Sequence, residues 1–119
     1  MTETDILRRT MLEVGRRPDV RVFRNNVGVA VYPDGSRVVY GLAPGSSDLV
    51  GWRIVTVTPD MVGQPLAQFL ALEVKTATGR LTTPQKSFLD AVRSAGGIAA
   101  VVRSPDDAVA AVSSAAVLA

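Results

Sequence analysis

The stretch Phe69-Leu-Ala-Leu-Glu-Val-Lys75 constrains the fold more than any other. Side chains alternate along an extended strand, so Phe69, Ala71, Glu73 and Lys75 share one face and Leu70, Leu72 and Val74 the other. Both faces begin apolar, which calls for cover on both sides and hence for layered helices and strands. The strand then ends in a carboxylate and an ammonium with one valine between them. A lone carboxylate at the edge of a core is costly to desolvate, so Glu73 needs a partner, and Lys75 is within reach.

The remaining patterns supply the layers. Ile6, Leu7, Thr10, Met11 and Val14 fall at helical spacing, with Thr2 or Thr4 as N-cap and Gly15 as the stop. Val20 and Val22 alternate with Arg21, Phe23 and Asn25 as in a strand. Residues 29–40 read as two short strands about Pro33-Asp34-Gly35, a hairpin signal. Strand character resumes after Asp48, and two prolines and a glycine in residues 58–68 predict a turn or short helix. A helix follows the charged strand, with Thr83 as N-cap, Pro84 at its first position, and Phe88, Leu89 and Val92 as its apolar stripe. Gly96-Gly97 ends it, residues 98–103 form a strand, and a last helix begins at Ser104. At 119 residues and 47% hydrophobic, the chain is expected to be one α/β domain, helices on a mixed sheet.

Composition narrows the chemistry. With no cysteine and no histidine, disulfides, thiol nucleophiles, zinc sites and imidazole bases are excluded. Catalysis is left to carboxylates, lysine, hydroxyls or a hard cation held through oxygen. The formal charge is +2, and of 13 basic residues only Lys75 and Lys86 are lysine. Arginine's planar fork suits bidentate phosphate contacts, although an arginine-rich codon bias explains the same composition. No run approaches the roughly 20 apolar residues of a membrane span, and the charged N-terminus lacks a signal-peptide core, so cytoplasmic is the default expectation.

A second acidic residue changes the reading of Glu73. Asp48 opens a strand directly after Gly45-Ser46-Ser47, and aspartate is a poor strand residue. One carboxylate beginning a core strand and one ending a neighbouring strand would meet at one end of an antiparallel hairpin. Two carboxylates that close repel unless a cation lies between them. Without nitrogen or sulfur ligands, Mg²⁺ or Mn²⁺ is the natural choice. For an isolated Glu-x-Lys the plainer reading is a surface ion pair.

Three strings carry a resemblance: residues 24–28 (RNNVG), 40–52 (YGLAPGSSDLVGW) and 69–104, from FLALEVK to AAVVRS. An Asp after a strand-opening turn, followed by an apolar strand ending in Glu-x-Lys, resembles the PD-(D/E)XK nuclease superfamily. The wording of the strings is similar to its VRR-NUC family in the compact, stand-alone form of bacteria and phages. The likeness runs from Glu3 to about Ala108, with Ser47 where the superfamily name has proline. It implies a restriction-endonuclease-like core over residues 1–119 and metal-dependent hydrolysis of DNA phosphodiesters in a bacterial cell or phage-infected host. Asp48, Glu73 and the Val74 carbonyl would hold Mg²⁺ or Mn²⁺, with Glu3 reaching the metal through water. Lys75 would steady the attacking water or the charge on the phosphate, and Gln85 would orient water. Residue chemistry alone leaves Glu3 as a first-turn helix residue with equal ease, and favours Gln85 as a plain helix-start residue. Arg24, Asn26, Ser46, Ser47 and Arg80 are the expected DNA contacts, with Lys86 and Arg103 weaker ones.

The resemblance further implies action on branched DNA such as four-way junctions or flaps. Junction cleavage takes two sites and hence a homodimer. The apolar residues 108–119 would supply that interface or cover the sheet. Two other readings stand beside it: a DNA-binding module that keeps the fold without catalysis, and a phosphate-binding protein built around Gly45-Ser46-Ser47. The second lacks the strand–GxxxxGK–helix pattern of phosphate loops.

Overall fold

A computed structural model describes residues 1–113 of the chain. Its elements run α1 (Glu3–Gly15), β1 (Val20–Arg24), β2 (Gly28–Val31), β3 (Arg37–Tyr40), β4 (Leu49–Arg53), a 3₁₀ turn (Pro59–Met61), β5 (Leu70–Val74), α2 (Thr83–Ser94), β6 (Ile98–Val102) and α3 (Pro105–Ser113). The expected α/β class is present. The mixed sheet takes the form of three two-stranded ladders: β1–β4 and β2–β3 antiparallel, β5–β6 parallel. The chain folds as two compact units, Met1–Thr56 and a second from Val57 onward.

In the first unit α1 starts at a reciprocal cap. The Thr2 hydroxyl accepts from the Asp5 N–H while the Asp5 carboxylate accepts from the Thr2 N–H, which settles Thr2 rather than Thr4 as N-cap. Leu7, Thr10, Met11 and Val14 are half-buried along one stripe, while Ile6 is 50% exposed. Antiparallel register pairs Arg24 with Leu49 and Val22 with Gly51. Gly51 is required there: a Cβ at that position would collide with the Arg21 backbone carbonyl. Beside the ladder, the Phe23 and Trp52 rings pack tilted at 5.6 Å, with the Arg21 guanidinium over the indole. The β2–β3 hairpin forms about Pro33-Asp34-Gly35 as its turn chemistry dictates, with the Asp34 carboxylate accepting from the Ser36 N–H and hydroxyl.

The second unit is a strand–helix–strand crossover followed by a helix. The Thr82 hydroxyl accepts from the Gln85 N–H, so the N-cap of α2 lies one residue before the expected Thr83 and Pro84 is in the second helical position. The apolar stripe of α2 holds as expected: Leu89 and Val92 are buried, and with Val102 of β6 they form the core of this unit. Each such side chain contributes about 1.5–3 kcal/mol of burial. Along β5 the middle residues Ala71, Leu72 and Glu73 are half-buried, whereas Leu70 and Val74 at the ends are 45% and 75% exposed. The Ser104 hydroxyl accepts from the Asp107 N–H and caps α3 as expected; the apolar string at 108–119 lies partly outside the described residues.

Candidate functional site

Glu73 lies in the last turn-out of β5 and Lys75 just past its end, two residues apart on one face. Their side chains form an ion pair, Nζ to Oε1 3.4 Å, with 19% of the lysine and 30% of the glutamate side chain exposed. This is more covered than an ordinary surface pair, so the two charges are held rather than free to swing. Between them, the Lys75 N–H donates to the Val102 carbonyl at 3.0 Å. A trans peptide directs its C=O opposite to its N–H, so the Val74 carbonyl is turned away from β6. The end of β5 thus offers a carboxylate, a backbone oxygen and an ammonium within three consecutive residues.

The segment that follows is pinned from β6. Arg103 Nη1 donates to the carbonyls of Thr76 at 2.6 Å and Gly79 at 2.7 Å, closing the turn that leads to Arg80. Arg103 is therefore engaged with the loop between β5 and α2, and Arg80 is the exposed arginine of that loop. Gln85 opens α2 at its third position. Its Oε1 accepts from the Thr82 N–H at 2.9 Å, completing a capping box and leaving the amide N–H groups outside the cap. The helix-start role is thus real, and it does not use up the side chain.

In the first unit Asp48 stands immediately before β4, opposite the end of β1: its carbonyl accepts from the Asn25 N–H at 2.8 Å, one step beyond the Arg24–Leu49 pair. Asp48 and Glu3 line one cleft of about 330 Å³, together with Ile6, Leu7, Thr10 and Leu49. Glu3 thus shares a cavity with Asp48. Within either unit, no three acidic side chains are gathered for a metal ion among the described residues. The candidate donors of each unit are oxygens: Asp48 and Glu3 on the cleft of the first, Glu73 and the Val74 carbonyl at the end of β5 in the second. Oxygen is the donor type that hard divalent cations take.

The strand partners differ from the sequence-based expectation. Asp48 and Glu73 were expected on antiparallel neighbours; instead β4 pairs with β1 and β5 with β6, each inside its own unit. The turn before Asp48 is also more ordered than its composition implied. Ala43-Pro44-Gly45-Ser46 closes with the Ser46 N–H on the Ala43 carbonyl at 3.0 Å. Pro44 takes the second position, and Gly45, at φ +84°, takes the third, where a side chain would be strained. The Ser46 hydroxyl donates to the Ala43 carbonyl at 2.6 Å, so its hydrogen is committed to the turn. Ser47, Arg24 and Asn26 are exposed.

Sequence reasoning passed over Asn25. It is 8% exposed, the buried polar residue among those described, and its amide makes three hydrogen bonds into the 42–47 turn. The available signal was the pair Asn25-Asn26 at the end of a strand, where one amide faces inward if the other faces out.

No curated protein and no solved structure is matched by the chain. Residues 36–106 match the VRR-NUC domain, a span that covers more than half of the chain and contains Asp48, Glu73, Lys75 and Gln85. With the Glu-x-Lys pair at the end of an apolar strand and the capped helix after it both in that span, the chain belongs to the VRR-NUC domain family, and its function is of the nuclease type, acting on DNA.

Proposed function

We propose that this protein is a metal-dependent endonuclease that hydrolyses DNA phosphodiester bonds, with branched DNA as its preferred form. The observation that carries the reading is the Glu73–Val74–Lys75 arrangement: a half-buried carboxylate and ammonium 3.4 Å apart, with the Val74 carbonyl turned away from the ladder. Asp48, Glu73 and the Val74 carbonyl would hold Mg²⁺ or Mn²⁺, and Glu3, on the same cleft as Asp48, would hold a water beside it. The cation supplies Lewis-acid polarisation of the scissile phosphate and a more acidic water.

The chain's own residues do the rest. Lys75 keeps its ammonium beside the reacting phosphate, where it orients the nucleophilic water and offsets negative charge that grows in the transition state. Glu73 holds Lys75 in place through the ion pair. The amide N–H groups of Gln85, outside the cap, donate to water or phosphate without adding charge. Arg24, Asn26, Ser47 and Arg80 contact the DNA backbone and fix its register. The restriction-endonuclease-like core over the whole chain, and a homodimer that brings two sites to a two-fold junction, belong to the same reading.

The test is a panel of end-labelled four-way junction, flap, linear duplex and single-stranded DNA incubated with the purified protein and Mg²⁺ or Mn²⁺. The reading expects internal cuts with branched DNA cleaved fastest. Binding to the same DNAs with no cutting under any metal would favour the non-catalytic DNA-binding module instead.

A further inference from the structure

Asn25 spans the turn that presents Asp48. Its Nδ2 donates to the Ser46 hydroxyl at 2.7 Å and to the Ser47 carbonyl at 2.9 Å, and its Oδ1 accepts from the Leu42 N–H at 3.0 Å. Its own N–H donates to the Asp48 carbonyl at 2.8 Å. One side chain thus joins both limbs of the turn and uses both amide hydrogens, while its backbone fixes the residue where the turn enters β4. The Ser46 oxygen that receives Asn25 also accepts from the Ala43 N–H and donates to the Ala43 carbonyl, so the turn and the asparagine form one network. Asn25 is buried, whereas Asp48 beside it is exposed on the cleft with Glu3.

We infer that Asn25 is a positioning residue: it sets the place of the Asp48 carboxylate for metal binding without touching metal or DNA itself. The inference rests on the metal-dependent reading above. Only asparagine meets the demands of the position. Aspartate has the size and the acceptor for Leu42 but sets a second oxygen against the Ser46 hydroxyl oxygen and the Ser47 carbonyl; alanine leaves the Leu42 N–H and the Ser47 carbonyl without the amide and takes one donor from the Ser46 hydroxyl. A glutamine amide is one methylene too long for a closed pocket.

The experiment compares full-length wild type, Asn25→Ala, Asn25→Asp and Asp48→Ala. Mn²⁺ binding is titrated by the electron paramagnetic resonance of the free ion, and kcat and KM are measured on a labelled junction. Circular dichroism reports folding. Outer partners of metal ligands are worth about 10–100-fold in affinity or activity, and that loss is expected for Asn25→Ala in Mn²⁺ affinity and in kcat, with KM for DNA little changed. Asn25→Asp should not restore either value; restoration by aspartate would overturn the donor argument. Folded Asn25→Ala with wild-type Mn²⁺ affinity and kcat, alongside an impaired Asp48→Ala, would overturn the inference alone. Wild type that binds no Mn²⁺, or Asp48→Ala that binds like wild type, would overturn the metal reading and this inference with it. Should Asn25→Ala not fold, Ser46→Ala removes one Asn25 acceptor and decides on the same criteria, a smaller loss in the same direction supporting the inference and wild-type values overturning it.

Discussion

Lys75 and Glu73 can be told apart by what each loses. As a mere surface pair they would be dispensable, since exposed pairs contribute at most about 1 kcal/mol. As site residues, Asp48→Ala, Glu73→Ala and Lys75→Ala should each lower the cleavage rate by about 100-fold or more while circular dichroism stays that of the parent. Asp48→Ala and Glu73→Ala should also bind DNA no more weakly in chelator, because each removes a negative charge that faces phosphate. Cleavage at the parent rate by Lys75→Ala would reduce that lysine to an ion-pair partner. Glu73 and Lys75 were legible in the sequence because period-two alternation puts i and i+2 on one face whatever the sheet around them. Asn25 was legible only in part. Alternation says that one of two adjacent amides faces inward, but its burial depends on a partner turn 17 to 22 residues away, which the strand pattern does not report.

Helix ends were read to within one residue, and the error has a physical source. Thr82 and Thr83 are both good caps, and Pro84 suits either of the first two helical positions; the Gln85 side chain reaching back to Thr82 decides between them. That cap gives a clean separation at Gln85. Gln85→Glu keeps an acceptor for the Thr82 N–H but loses the amide donors, so stability should hold while cleavage falls. Thr82→Ala should do the reverse, costing about 1 kcal/mol of stability with activity of the folded protein retained. Equal cleavage by Gln85→Glu and wild type would leave Gln85 as a cap alone. At α1 the Thr2 N–H and then its hydroxyl donate to Asp5 and hold that carboxyl below its ordinary value. A depressed folded pKa adds stability above the ordinary carboxylate range and loses it as pH falls through the folded value. Helix signal from α1 should therefore fray below about pH 4, whereas Asp5→Ala should show no such acid step. Strand partners were the least legible feature, because alternation fixes which residues share a face but not which strand lies alongside. β4 returns to β1 after the intervening β2–β3 hairpin and β6 returns to β5 after α2, and neither pairing is written in the alternation of the strands themselves.

For the whole molecule, the absence of histidine and cysteine is the strongest chemical constraint, and it was legible from composition alone. It leaves oxygen donors, which favour a hard cation, so Mn²⁺ should support cleavage at least as well as Mg²⁺ and Zn²⁺ should not. Glu3→Gln should raise the metal concentration for half-maximal rate without changing the fold; an unchanged metal curve would leave Glu3 as a first-turn residue of α1. No helix among the described residues is long and apolar enough to cross a membrane. The account's central claim is that Asp48 and Glu73 serve one hydrolytic, cation-dependent reaction. Its most direct test is single-turnover cleavage of a labelled four-way junction with Mg²⁺, with excess chelator, and with Mg²⁺ resupplied, run for wild type, Asp48→Ala and Glu73→Ala. The account expects cleavage by wild type that stops in chelator and returns with Mg²⁺, and none by either variant. Cleavage that persists in chelator, or proceeds at the parent rate in either variant, would contradict it.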